Sequence, residues 1–329
     1  MKGRTTIGSC NRQGVLLHAM GNSAFHFLLL ALVFSKFSSV QSIIVGAAVI
    51  PHGDFAYDPT LVHDRNGSLK VHKAALRAGK YVDSLEPDII FLTTPHGVAL
   101  SNNFAIYENT KGKGYAELGQ DLHNKSFPTY KIYRSASMDP VESKSVVSSL
   151  RKMKRNVSAL LSFADSEPQA FRWGEIIPLS FLSNSTLKRA KIVVLSHPLR
   201  RYNHSKEMVP ELLDIGRVLF KHFDSLETKR VVFIASSDLA HTHLASGPYG
   251  FSKYAAPFDR NVGLWGSNPK QHANALLVDA ANIEIYALSC GFPSLVMLHG
   301  LLMEDFTRFK PELLADEHPT YYGMMVSIY

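Results

Sequence analysis

Cysteine is almost missing from this chain. Cys10 and Cys290 are the two present in 329 residues, which excludes a disulfide-stapled scaffold and leaves the core to hydrophobic burial. Long apolar runs are missing too. The longest, residues 24–34 (AFHFLLLALVF), has about eleven, well short of the roughly 20 that a membrane-crossing helix needs. Charge is sparse, 19% against 46% hydrophobic residues, the wrong balance for a disordered chain. Four positive charges, Lys2, Arg4, Arg12 and Lys36, fall in the first 42 residues, which hold no acid. The rest carries only about +3 of the net +7, so no nucleic-acid partner is expected. The basic run Arg151-Lys152-Met153-Lys154-Arg155 reads as a solvated helix end. There is no G-x-G-x-x-G turn after a strand, no Walker loop and no G-x-S-x-G elbow. Ser236-Ser237-Asp238 lies too close to His241 for a serine hydrolase, whose base arrives on a separate loop.

What is present begins with a leader-like segment. The apolar run 24–34 fits the hydrophobic region of a signal peptide, and SSVQS after it places Val40 and Ser42 at the small positions before a cleavage site. Met20 is an alternative initiator that would give the leader an ordinary length. Five N-x-[ST] sequons follow, at Asn66, Asn124, Asn156, Asn184 and Asn203. Together they predict a secreted or ER-lumenal glycoprotein, with a retained signal anchor as the alternative and no stable membrane span in the mature chain. Residues 1–42 then form a signal peptide or extension, and residues 43–329 one domain whose single cysteine is Cys290.

Four apolar runs read as buried strands: residues 43–50 (IIVGAAVI), 88–94 (DIIFLTT), 192–195 (IVVL) and 231–235 (VVFIA). Their apolarity is continuous rather than alternating, which suits strands covered on both faces. Helices are expected over 69–85, from the Asp139-Pro140 cap towards 156, and over 207–223, 269–282 and 293–303. Residues 104–108 and 130–133 read as short hairpin strands, and 326–328 as a closing strand. The predicted fold is a single α/β domain, with a central mixed, mostly parallel sheet and helices on both faces.

Each of the four runs delivers a histidine just past its carboxyl end: Pro51-His52-Gly53-Asp54, Pro95-His96-Gly97, Ser196-His197-Pro198 and Ser236-Ser237-Asp238-Leu239-Ala240-His241. In open α/β sheets, sites form in the crevice outside those ends. If the strands are parallel neighbours the imidazoles converge, and several neutral imidazoles in one crevice suggest a metal.

The order PHGD, TTPHG, SSDLAH, a late Cys-Gly and the closing HPTYYGMMV resembles the LigB-type superfamily, which holds the catalytic chains of class III extradiol ring-cleavage dioxygenases and the related Memo proteins. The resemblance implies the same α/β fold, O2 and a catechol- or aminophenol-like aromatic as substrates, and non-haem Fe(II). It implies His52 and His96 as metal ligands and His241 as the residue that moves protons, with Asp238 orienting it. The dioxygenases take their third ligand from a late glutamate. Here Cys290 stands in that place, as in the Memo branch. Thiolate is softer than carboxylate and binds Fe(II), copper or zinc. The alternative is therefore a Memo-like metal-binding or redox protein with a His-His-Cys site and no ring cleavage. Self-association is left open.

Weaker candidates surround these. His197 is expected to line the pocket and bind substrate. Arg200 and Arg201 read as a solvated pair, with binding of an acidic substrate as the alternative. Trp173 or Glu175 is expected to face the pocket, in a stretch where the family carries a histidine absent here. Asp54 is a substitute ligand or a partner for a histidine. Tyr321 and Tyr322 either close over the site or pack in the core. His243 is expected to point away from His241, as alternate residues of an extended loop do.

Overall fold

The computed structural model describes residues 43–62, 65–119, 129–162, 167–226 and 228–329. The signal-like run 24–34, Met20, Cys10 and the Asn124 sequon lie outside the described residues. Among the described residues eleven strands are formed: β1 (Ile43–Ile50), β2 (Ile89–Thr94), β3 (Phe104–Tyr107), β4 (Lys111–Leu118), β5 (Tyr130–Ser137), β6 (Val157–Leu160), β7 (Gln169–Phe171), β8 (Lys191–Ser196), β9 (Arg230–Ser236), β10 (Glu312–Glu317) and β11 (Met324–Ile328). Eight of them make a mixed sheet in the order β10-β11-β1-β9-β2-β8-β3-β6. The four runs singled out in the sequence are β1, β9, β2 and β8. They are consecutive neighbours, all parallel, at the centre of that sheet. The sheet separates two buried cores. Ile44, Val49, Phe91 and Phe233 lie in one, and Ala48, Ile50, Leu92 and Ile234 in the other. Two-sided burial explains the unbroken apolar runs.

The helices are α1 (Asp54–Tyr57), α2 (Arg65–Ser84), α3 (Pro140–Lys152), α4 (Trp173–Ser180), α5 (Asn184–Arg189), α6 (Arg201–His204), α7 (Val209–Asp224), α8 (Ala255–Ser267), α9 (Ala281–Ala287) and α10 (Phe292–Leu302). None among the described residues is long and apolar enough to cross a membrane. Asp139 caps α3 as expected, accepting from the Glu142 amide at 3.0 Å, with Pro140 in the first turn. The helix expected over 269–282 is instead a π-helical stretch, Ala275–Ala280, running into α9. Of the two expected hairpin strands, 130–133 lies in β5, antiparallel to the preceding β4, and 104–108 is corrected. Residues 104–107 join the main sheet beside β8 and β6, while β5 pairs with β4, which has β7 on its other side, in a second sheet of three strands. In β4, a Cβ on Gly114 would sit 2.0 Å from the Phe171 carbonyl oxygen. Glycine is required there by close approach, although in a sequence it reads as a strand breaker.

Candidate metal centre

The carboxyl edge of the central sheet opens into a cleft of about 530 Å3, lined by His52, Asp54, Phe55, His96, Tyr115, Glu117, Arg172, Trp173, Asp238, His241, Tyr249, Tyr321 and Tyr322, among others. His52 follows β1 and His96 follows β2, two residues past each strand. Cys290 arrives from the other direction, in the turn between α9 and α10. Leu288 leaves α9 in the left-handed region, at φ 57°. The Gly291 amide and the Ser289 hydroxyl both donate to the Asp238 carbonyl at 3.0 Å. A Cβ on Gly291 would lie 2.6 Å from that same oxygen, so only glycine lets the Cys290 turn come this close to the loop after β9.

Donor atoms of His52, His96 and Cys290 all lie within 4.8 Å of one another. Cys290 Sγ is 3.3 Å from His52 Nε2, and the two imidazole rings meet edge to face at 4.7 Å. Hydrogen bonding fixes the tautomer of His52. The Ser236 hydroxyl donates to the Gly174 carbonyl at 2.6 Å. Its oxygen therefore accepts from His52 Nδ1, 2.9 Å away, and Nε2 is left with a bare lone pair facing Cys290. Burial, with His96, His241 and Arg201 adding positive charge, holds the His52 pKa well below its usual range. Burial likewise lowers His96 to about 3. Both rings are neutral at pH 7. Burial pushes the Cys290 thiol up, with Asp238 adding to the shift. Two neutral imidazoles and a thiol that a cation can deprotonate fit a soft or borderline divalent metal.

The loop after β9 supplies the rest. His241 Nδ1 donates to the Leu239 carbonyl at 2.8 Å, leaving Nε2 free in the cleft. Burial lowers its pKa to about 4, and Tyr322 stacks on its ring at 5.6 Å. The orienting partner of His241 is therefore the Leu239 carbonyl. Asp238 turns to His52 instead: Oδ1 accepts from the His52 amide at 3.1 Å, and Oδ2 is 3.3 Å from His52 Nε2. Burial raises Asp238 to about 7.

The weaker candidates divide. Trp173 lines the cleft and packs on His96 at 4.9 Å, whereas Glu175 is wholly buried and caps the start of α4 by accepting from the Arg172 amide at 2.8 Å. Tyr321, Tyr322 and Asp54 line the cleft, with Asp54 accepting from the Gly119 amide at 3.0 Å and standing outside the His52–His96–Cys290 group. His197, expected as a substrate contact, lies outside the cleft lining. It is fully buried, with Nε2 3.4 Å from the Ser294 hydroxyl. His243 points away from the cleft and bonds Asp259 at 2.6 Å.

The solvated arginine pair is corrected in half. Arg200 pairs with Glu211 near the surface, but Arg201 is only 3% exposed. It donates to the carbonyls of Pro95 at 2.7 Å and Pro198 at 3.1 Å. It thus ties the turn carrying His96 to the turn carrying His197. The sequence does not announce this, because both acceptors are backbone carbonyls and one of them, Pro95, lies 106 residues away. Asp259 also escapes a reading of the sequence. It lies in α8, a helix the sequence patterning did not single out, 18 residues beyond His241.

An α/β sheet carries at its carboxyl edge a His-His-Cys group that could hold a metal ion, and comparison with known proteins gives the class of the chain. Residues 46–327 match the catalytic LigB subunit of aromatic ring-opening dioxygenase, so the chain belongs to the LigB family. A relative from Clostridium acetobutylicum, Protein CA_C1420, is 28% identical over 247 residues, covering 73% of this chain. The chain spans about half of that relative, 48% of its length.

Proposed function

We infer that the cleft is a metal-dependent oxygenase site that opens an aromatic ring carrying adjacent hydroxyl or amino groups, with Fe(II) held by His52, His96 and Cys290. The observation that carries this reading is the grouping of three donors within 4.8 Å beside a cleft walled by aromatic rings. When bound, Fe(II) would supply the Lewis acidity and one-electron chemistry needed to bind a chelating diol and activate O2. The remaining work falls to the chain. His52 and His96 present lone pairs, because burial keeps them neutral. Phe55, Trp173, Tyr321 and Tyr322 offer apolar ring surface to a flat substrate. His241, neutral at pH 7, has the Nε2 lone pair to take a phenolic proton and returns that proton later. Asp238 holds the His52 backbone in place. Cys290, whose thiol burial keeps protonated, would give up its proton to a bound cation.

Cys290 also favours a second reading. Thiolate in place of carboxylate suits a Memo-like metal-binding or redox protein that holds copper or zinc as well as iron and cleaves no ring. The experiment uses protein loaded anaerobically with Fe(II) and a small panel of catechols and aminophenols. O2 uptake with a yellow ring-opened product, lost in His241→Gln, supports the first reading. Stoichiometric metal binding with no uptake supports the second.

A further inference from the structure

We propose that Asp259 is a positioning residue for His241, because its one carboxylate grips the polypeptide on both sides of that histidine. The proposal rests on the reading of His241 as the proton-moving group. Asp259 reaches the cleft loop from behind, out of α8, and is 5% exposed. Its Oδ1 accepts from the Ala240 amide at 2.9 Å. Its Oδ2 accepts from His243 Nε2 at 2.6 Å. Ala240 and His243 flank His241, so two hydrogen bonds to one rigid helix clamp the segment that aims it.

The clamp extends to the aromatic wall. The Gly323 amide donates to the Ala240 carbonyl, and the Leu239 amide donates to the Gly323 carbonyl, both at 2.8 Å. The His243 amide donates to the Tyr321 carbonyl at 3.0 Å. A Cβ on Gly323 would lie 2.0 Å from Asp259 Oδ2, so glycine at 323 makes room for the carboxylate. The tyrosine pair 321–322 and His241 are thus set by the same anchor. The His241 ring itself depends on the backbone of this loop, since its orienting acceptor is Leu239 O. If Ala240 shifts, that acceptor shifts with it. A misplacement of about 1 Å near a reacting group costs on the order of 100-fold in rate.

The test is spectroscopic first. Long-range 1H–15N correlation spectra of protein labelled at histidine report which ring nitrogen of His241 carries the proton, with His241→Gln providing the assignment. Wild type is expected to show protonated Nδ1 and bare Nε2. In Asp259→Ala the His241 signals are expected to move towards a mixture of tautomers. In Asp259→Asn, whose amide oxygen still accepts from Ala240, the wild-type His241 pattern is expected to return. Where Asp259→Ala does not fold, Asp259→Ser, too short to reach both partners, is read in the same way. An unchanged His241 pattern in the folded Ala or Ser variant overturns the proposal. So does equal loss in Asp259→Asn. The readout needs no substrate, so it stands apart from the O2-uptake test of the dioxygenase reading. Where turnover is measured, kcat of Asp259→Ala is expected to fall about 100-fold with KM little changed.

Discussion

At Ser236 a single hydroxyl decides which nitrogen of His52 is available. It is spent on the Gly174 carbonyl, so the imidazole must donate to it and keep Nε2 for a metal. Ser236→Ala removes this acceptor without touching a ligand. Its Fe(II) or Zn(II) affinity, measured by competition with a chelator, is expected to fall about 10- to 100-fold; wild-type affinity would contradict the tautomer assignment. Residues of this kind mark where the sequence stops being legible. His52, His96, His241 and Cys290 are visible because each follows a strand or sits in a recognisable string. The contacts that tune them are not. Asp238 stands three residues before His241 in the chain but touches His52, and Arg201 looks like half of a surface pair until the turns of Pro95 and Pro198 close over it. The contacts of His52 with Asp238 and of Arg201 with Pro95 join segments far apart in the chain, and proximity along the chain does not reveal them.

The short helix α4 acts as a buttress. A Cβ on Gly174 would be 3.0 Å from His96 Cβ, so the helix packs directly against one ligand while its carbonyl steadies the serine behind the other. Its cap, Glu175, is wholly buried, and burial raises its pKa from an ordinary 4.5 to about 8. Below pH 4.5 the carboxyl is protonated in both folded and unfolded chains. As pH rises from there towards 8, the unfolded chain ionises first and folding is progressively disfavoured. Glu175→Gln, which keeps an acceptor for the Arg172 amide, is expected to gain stability relative to wild type across that window and to lose the advantage at its acid end. Denaturant midpoints at several pH values check this; a pH-independent difference would contradict it. Of the elements, those with a local signal were legible: the four buried strands and the Asp139-Pro140 start of α3. The glycine-bearing β4 and the π-helical entry to α9 were not, because packing, of β4 against Phe171 and of the π-helical stretch against α8, rather than local propensity, holds them.

Over the whole molecule, the parallel order β1-β9-β2-β8 turns scattered histidines into a site. Chain segments nearly 190 residues apart, as in the pair of His52 and Asp238, meet because parallel neighbours end at the same edge. The sequence patterning showed the strands and their terminal histidines but not the order in which they pair, which depends on contacts between distant segments. The same scale carries the proposal of a lumenal or secreted protein. Asn66, Asn156, Asn184 and Asn203 are all exposed, as acceptors of N-linked glycan require. Protein made in a eukaryotic secretory host is expected to lose mass on treatment with an endoglycosidase. An unchanged mass would contradict that localisation.

The central claim is that sulfur takes the third ligand position in this cleft. X-ray absorption at the iron edge, on protein loaded anaerobically with Fe(II), tests it most directly. One sulfur scatterer is expected at about 2.3 Å, the usual length of a metal–thiolate bond, with its loss in Cys290→Ser. A shell of nitrogen and oxygen alone in the wild type would contradict it and pass the third position to a carboxylate such as Asp238 or to solvent.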